Sequence, residues 1–193
     1  LQAKAIFGLF PANRTDAETV TVYTDENREE TKAVFQFLRQ QRQKAPGQPN
    51  LSLSDYIRPA EQGPDYIGAF AVTAGVGIES HVRRFEAEHD DYRAILLKAL
   101  ADRLAEAMAE RLHQRVRQEF WGYAPEECLD NKALIAEKYN GIRPAPGYPA
   151  CPEHTEKGTL WQLLQVEERI GISLTESYAM YPAASVSGYY FAH

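Results

Sequence analysis

The chain has 193 residues, 44% hydrophobic and 25% charged, with 21 Lys+Arg against 27 Asp+Glu for a formal net charge of -6. That is the composition of a globular protein with one sizeable core, and it excludes a global basic footprint for DNA or RNA. Apolar stretches such as residues 67–72, interrupted by Gly68, fall far short of a membrane span, and Cys128 and Cys151 are too few for a disulfide scaffold and wrongly spaced for zinc or CxxC chemistry, so a reducing, cytoplasmic compartment is predicted.

In chain order, residues 3–10 (AKAIFGLF) predict a buried strand stopped by Pro11-Ala12-Asn13. The β-branched run 19–24 (TVTVYT) predicts a second strand, joined to the first as a hairpin through Arg14–Glu18. Thr24 or Asp25 is placed to cap a helix over residues 27–44, with Val34, Phe35 and Leu38 facing inward, ended by APGQPN at 45–50. Residues 51–57 are ambiguous and 59–64 read as loop. Residues 65–73 (DYIGAFAVT) form the strongest strand pattern, ending at Ala74-Gly75-Val76-Gly77.

A long helical region follows over 79–120, with a break near His89-Asp90. Tyr92, Ile95, Leu96, Ala99, Leu100, Leu104, Ala107, Met108, Leu112, Val116 and Phe120 recur at helical spacing and predict the inward face of a central helix. Gly122 and Pro125 close it. A short helix is expected at 131–138, an irregular segment at 141–152, and a helix at 155–169 capped by Thr155. Two strands, 173–180 and 185–191, complete the chain. The predicted class is mixed α+β: a mostly antiparallel, twisted sheet with a long central helix and flanking helices, not a Rossmann fold. No repeat, low-complexity tract or linker divides it, so residues 1–193 are expected to form one domain.

The segment 141–152 (GIRPAPGYPACP) is the most informative stretch. Four prolines within residues 144–152 forbid helix and interior strand and fix an extended path. Main-chain groups left free by such a path are available to a ligand. Arg143 offers a planar fork for a carboxylate, Gly147 close approach, and Tyr148 a ring face. A rigid crossover with Arg143 in a salt bridge is the competing account, and on the segment alone it is the stronger one.

Asp102, Glu106 and Glu110 share one helical stripe, which suits a docking edge but reads more simply as a solvated face; His113, one turn on, reads as a surface histidine. His154 stands beside a helix start as a ligand contact or a neighbour of the cap. Cys151 has no histidine near it in sequence to act as a base. Gly75-Val76-Gly77 lacks the third glycine of a dinucleotide turn, since position 80 is Ser. No residue pattern marks a metal site.

Taken together, residues 65–73, 98–107 (KALADRLAEA), 121–125 (WGYAP), 141–157 (GIRPAPGYPACPEHTEK) and 185–191 (SVSGYYF) resemble the activation domain of cobalamin-dependent methionine synthase. The resemblance covers essentially the whole chain, and its most specific part is 141–157. It implies a domain that binds S-adenosylmethionine in a shallow groove and supports reductive methylation of cob(II)alamin to methylcobalamin. The electron would come from flavodoxin or a related flavoprotein, and the cobalamin would be held by a neighbouring domain. The family's Arg-x-x-x-Gly-Tyr motif maps onto Arg143, Gly147 and Tyr148. Arg143 would hold the methionine carboxylate, and main-chain groups around Pro144, Ala145 and Gly147 would contact the nucleoside. Glu137, Asp102 and Glu106 fall where the family carries acidic residues linked to the site or to the cobalamin domain, and His154 is a further candidate site or partner contact.

The resemblance also implies ligand contacts upstream of Leu1 and downstream of His193: an acidic residue for the methionine amino group and a Tyr-Tyr pair distinct from Tyr189-Tyr190. The chain is accordingly expected to be the central part of the domain, to bind S-adenosylmethionine weakly, and to be inactive alone. The abrupt start at Leu1, without Met, and the aromatic end fit that expectation; a docked C-terminus is the alternative. No catalytic acid, base or nucleophile is assigned. From another class, the chain would be a docking module that contacts the cobalamin domain and flavodoxin without a ligand of its own.

Overall fold

The computed structural model describes residues 2–192; Leu1 and His193, the outermost residues of the expected abrupt ends, lie outside the described residues. Five antiparallel strands form one sheet in the order β3-β2-β1-β4-β7. They are β1 (Gln2–Arg14), β2 (Thr19–Tyr23), β3 (Thr31–Gln36), β4 (Asp65–Val76) and β7 (Ser185–Tyr190). A two-stranded ribbon pairs β5 (Ser173–Leu174) with β6 (Met180–Tyr181). Helices are α1 (Ile78–Ala87), α2 (Asp91–Arg115), α3 (Asn131–Ile135), α4 (Glu156–Leu164) and α5 (Val166–Ile170). The mixed, mostly antiparallel architecture with one long helix is the predicted one.

Strand β1 outruns its prediction. It pairs with β4 from Lys4↔Thr73 to Ala12↔Asp65, and with β2 only from Ala12↔Val22 to Arg14↔Val20. Pro11 therefore stands where the second edge of β1 changes from open to paired, a position that tolerates a missing donor. Strand β4 is covered on both sides, which is why its sequence is apolar without alternation. Ile67, Ala69 and Ala71 join a core with Leu160, Leu164 and Val166 of α4 and α5. Phe70 and Val72 join Ala109, Val116 and Tyr190 on the α2 side. The aromatic C-terminus is docked: Tyr189, Tyr190 and Phe191 are fully buried, alternating between the two layers.

Two predictions are corrected. Residues 27–44 are not a helix. Asp25 accepts the Asn27 N–H in a tight turn that includes Arg28 at φ 58, and β3 then pairs with β2 at Val20↔Phe35. Phe35 and Phe37 are both buried, a spacing of two rather than 3.6, while Val34 and Leu38 are 40% and 37% exposed. The rings of Phe35 and Phe37 meet Tyr189 edge-on at 5.2 and 5.1 Å. Burying each ring is worth roughly 1.5–3 kcal/mol, more than the helix propensity of the polar residues that follow.

The inward face of α2 is also inverted along its first four turns. Ala94, Ala101, Ala105 and Ala109 are buried, whereas Tyr92, Ile95, Leu96, Leu100 and Leu104 are exposed. Ala94 and Ala101 pack with Ile78 and Val82 of α1 and with Ala184, and Ala109 packs with Phe70, Val72 and Tyr190, so small side chains let the helix approach both surfaces. Only the last part of the predicted stripe, Met108, Leu112 and Val116, faces the core, and Phe120 is exposed.

Smaller differences have local causes. The expected break near His89-Asp90 is present, with His89 at φ 54 and Asp90 accepting the Arg93 N–H. The long helix ends in a π turn, Val116–Phe120. Gln165, at φ 54, divides the predicted 155–169 helix into α4 and α5. Thr155 makes no side-chain cap; the Glu153 carboxylate accepts the His154 and Thr155 N–H groups instead. The strand expected over 173–180 is reduced to β5 and the first residue of β6. Residues 51–57 include a short 3-10 turn, Leu53–Tyr56, held by a Ser52–Asp55 capping box.

Candidate functional site

The proline-rich segment adds a lane to the free edge of β7. Ile142 N–H donates to Phe191 C=O at 2.9 Å, Phe191 N–H returns to Ile142 C=O at 3.1 Å, and Tyr189 N–H donates to Pro144 C=O at 3.0 Å. A Cβ at Gly188 would lie 2.4 Å from the Pro144 oxygen, so this close pairing requires glycine there. Strand geometry alternates, so the main-chain groups of Arg143, between two residues paired to β7, point away from the sheet. Among the described residues, the N–H and C=O of Arg143 and Ala145 have no protein partner. The expected free main-chain groups are thus present at Arg143 and Ala145, while Ile142 and Pro144 pair with β7.

Beyond Pro146 the chain closes a turn. Gly147, at φ 97, donates its N–H to Cys151 C=O at 2.8 Å, and Cys151 N–H donates to Tyr148 C=O at 2.9 Å. A Cβ on Gly147 would meet the His154 ring at 2.1 Å, so the imidazole lies directly against the turn. Tyr148 is 67% exposed. Cys151 is buried, and burial pushes its thiol up to about 12, which leaves it unreactive.

Arg143 and Pro144 line a cleft of about 430 Å³ together with Glu137, Tyr139, Gly141, Ile142, Ala150 and Tyr56. Arg143 Nη2 donates to Glu110 Oε2 on α2 at 2.9 Å, with side chains 18% and 30% exposed. Behind this pair lies a layer of buried polar and aromatic groups. His113 is fully buried, stacked on Tyr190 at 5.1 Å and edge-on to Tyr139 at 5.0 Å. Burial, with Arg117 and Arg143 nearby, lowers its pKa to about 2, so the ring is neutral. Arg117 is bidentate to Glu127 at 2.8 and 2.7 Å, and lies 3.9 Å from the centre of the Tyr139 ring. Burial also pushes the Tyr123 phenol up to about 12.

The predicted residues therefore separate. Arg143, Pro144 and Glu137 share the cleft, Ala145 follows them in the chain outside its lining, and Gly147 and Tyr148 form the next turn with the His154 ring against it. Glu106 is exposed on α2. Asp102 is elsewhere, in a groove with Ile78, Val82 and Lys98 and the 181–184 loop. The surface reading of His113 is overturned by its burial. Sequence reasoning placed Glu110 in an acidic stripe but not at the site, and it missed Tyr139, Tyr190 and Arg117. The usable signal was the stripe itself, whose third carboxylate is the one that reaches Arg143. No cluster of metal-ligating side chains occurs among the described residues, and no described helix is long and apolar enough to cross a membrane.

The whole chain, residues 1–193, matches the family described as the vitamin B12 dependent methionine synthase activation domain. Among solved structures it is similar to the MetH reactivation domain bound to AdoHcy, at 56% sequence identity and a TM-score of 0.94. That match covers 99% of this chain and 58% of the other. The chain therefore spans little more than half the length of that relative.

Proposed function

Because the chain belongs to the vitamin B12-dependent methionine synthase activation-domain family, we propose that it binds S-adenosylmethionine along the Arg143–Tyr148 segment and supports reductive methylation of a cobalamin carried by a neighbouring domain. The electron comes from flavodoxin or a related flavoprotein, and the setting is cytoplasmic. The observation that carries the reading is Arg143. Among the described residues it is a partly buried guanidinium with one side-chain partner, Glu110, on a cleft wall, and its own main chain and that of nearby Ala145 make no protein hydrogen bond.

These residues fit the ligand. A guanidinium suits the amino-acid carboxylate, and two free peptide groups suit a nucleoside that needs donors and acceptors. The AdoHcy of the similar reactivation domain has both parts. Bound here, S-adenosylmethionine would supply a methyl already activated by its sulfonium. The chain owes the reaction orientation rather than acid–base chemistry. Neither His113, buried and neutral, nor Cys151, buried with a raised pKa, is positioned to act as acid, base or nucleophile.

A docking role has an observation of its own: the exposed apolar face of α2, Tyr92 to Leu104, is a surface on which a cobalamin domain or flavoprotein can pack. Titration with AdoHcy, followed by amide chemical shifts over residues 141–154, separates the two readings and reads dissociation constants into the millimolar range. Saturable shifts there, lost at least tenfold in R143A, are the expected result. Shifts that are absent, or identical in R143A, leave the docking module as the better reading.

A further inference from the structure

We infer that Glu110 is a positioning residue for Arg143: its carboxylate holds the guanidinium through Nη2 and so fixes the donor edge that a ligand carboxylate meets. The inference deepens the binding reading above and rests on it for the identity of the ligand.

Three observations carry it. First, Arg143 makes no other ion pair or side-chain hydrogen bond among the described residues, and its Nη1 is buried without a partner. A carboxylate entering from the cleft cannot reach that nitrogen, so the edge that carries Nη2 is the one on offer. Second, among the described residues Glu110 bonds Arg143 alone. The other nearby guanidinium, Arg117, is engaged by both oxygens of Glu127, and its side chain has no exposed surface. His113, beside it on the same helix, is neutral and presents no competing cation. Third, the pair joins two separately held elements. Glu110 stands on the 25-residue α2, and Arg143 on the lane added to β7. A long side chain fixed at both ends loses less rotamer freedom when a ligand arrives.

The pair is partly solvated, so its contribution to fold stability is small while its contribution to geometry is not. That difference supplies the test. E110Q keeps the shape of the side chain and an acceptor oxygen but removes the charge. On the full chain, two readouts are compared between wild type and E110Q. One needs no ligand: the Arg143 Nη–H resonances, whose separation reports whether rotation about Nε–Cζ is restricted because Nη2 is held. The other is the initial shift slope over residues 141–154 on adding AdoHcy, compared with 5′-methylthioadenosine, which lacks the carboxylate.

The expected result is restricted Nε–Cζ rotation in wild type, seen as separate Nη–H resonances, that is lost in E110Q, with the unfolding midpoint nearly unchanged. The AdoHcy slope falls about tenfold, as expected for a weakened charge-assisted contact, and the methylthioadenosine slope is unchanged. Equal loss for both ligands reveals a merely structural role and overturns the inference. So does unchanged or tighter AdoHcy binding, which would make Glu110 a competitor. If neither ligand binds wild type, the binding reading fails; the ligand-free resonances then decide the positioning role by themselves, and free Nε–Cζ rotation in wild type overturns it.

Discussion

Helix α2 and the proline-rich segment 141–152 meet at the Glu110–Arg143 pair, yet they relate sequence to structure in opposite ways. In the segment, proline rings fix the backbone locally and glycine opens one turn, so conformation follows from residues within a few positions of each other. In α2 the residues dictate helix but not which way the helix turns. That is decided by the surfaces it packs on, Ile78 and Val82 of α1 along its first turns and Phe70, Val72 and Tyr190 of distant strands along its last. A segment stiffened by its own covalent structure can be read one residue at a time; a helix face can be read only with its partner surface in view.

The sharpest way to break this contrast is in the π turn that follows α2, where a contact between residues ten positions apart is almost wholly buried. Arg117 and Glu127 have side chains 0% and 6% exposed. In E127A the guanidinium stays buried without its partner, and the expected loss is about 3–5 kcal/mol, measured by urea unfolding. The local argument predicts no such sensitivity within the proline-rich turn. An E127A loss below about 1 kcal/mol would mean that the loop carrying Glu127 is not anchored through the π turn.

His113 sharpens the comparison through pH. Its folded pKa, lowered to about 2 by burial and by Arg117 and Arg143, lies below the unfolded value of 6.5. As pH falls below about 6.5 the unfolded chain takes up a proton that the folded chain refuses. Stability attributable to His113 is therefore intact above that pH and declines by up to about 1.4 kcal/mol per unit below it. H113F retains a ring to stack on Tyr190 and carries no titrating group. The difference in unfolding free energy between wild type and H113F, followed from pH 7.5 to 5, is expected to move with that slope; a flat difference would place the ring in water.

These contacts also mark how much was legible beforehand. The β1–β2 hairpin, the β4 strand, the break at His89-Asp90 and the extended path through Arg143 follow from patterning and turn residues over short windows. Strand β3 did not, because Lys32, Gln36 and the run beyond Leu38 carry helix-forming side chains. Its deciding feature, Phe35 and Phe37 against Tyr189, spans the length of the chain. At the site, Arg143 and its neighbours were marked by the motif. Glu110 was visible as a charge but not as a partner, since nothing local links positions 110 and 143. The buried His113 was hidden for the same reason: its apolar cover, Tyr139 and Tyr190, arrives from two other segments.

The smallest effect tests the face of α2 itself. Leu100 belongs to the stripe whose spacing predicted a core position, but it is 51% exposed, while Ala101 beside it has no exposed surface. If burial governs, L100S removes an apolar group that already meets solvent and changes stability by no more than about 0.5 kcal/mol. If the stripe were the core face, the same change would cost on the order of 2–5 kcal/mol through lost burial and a cavity. The two outcomes differ severalfold, so one urea titration distinguishes them. A near-zero result also bears on docking. Apolar side chains that add nothing to the fold at Ile95, Leu96, Leu100 and Leu104 are then available to a partner, and the helix that fixes Arg143 on its inner side through Glu110 can serve association on its outer side.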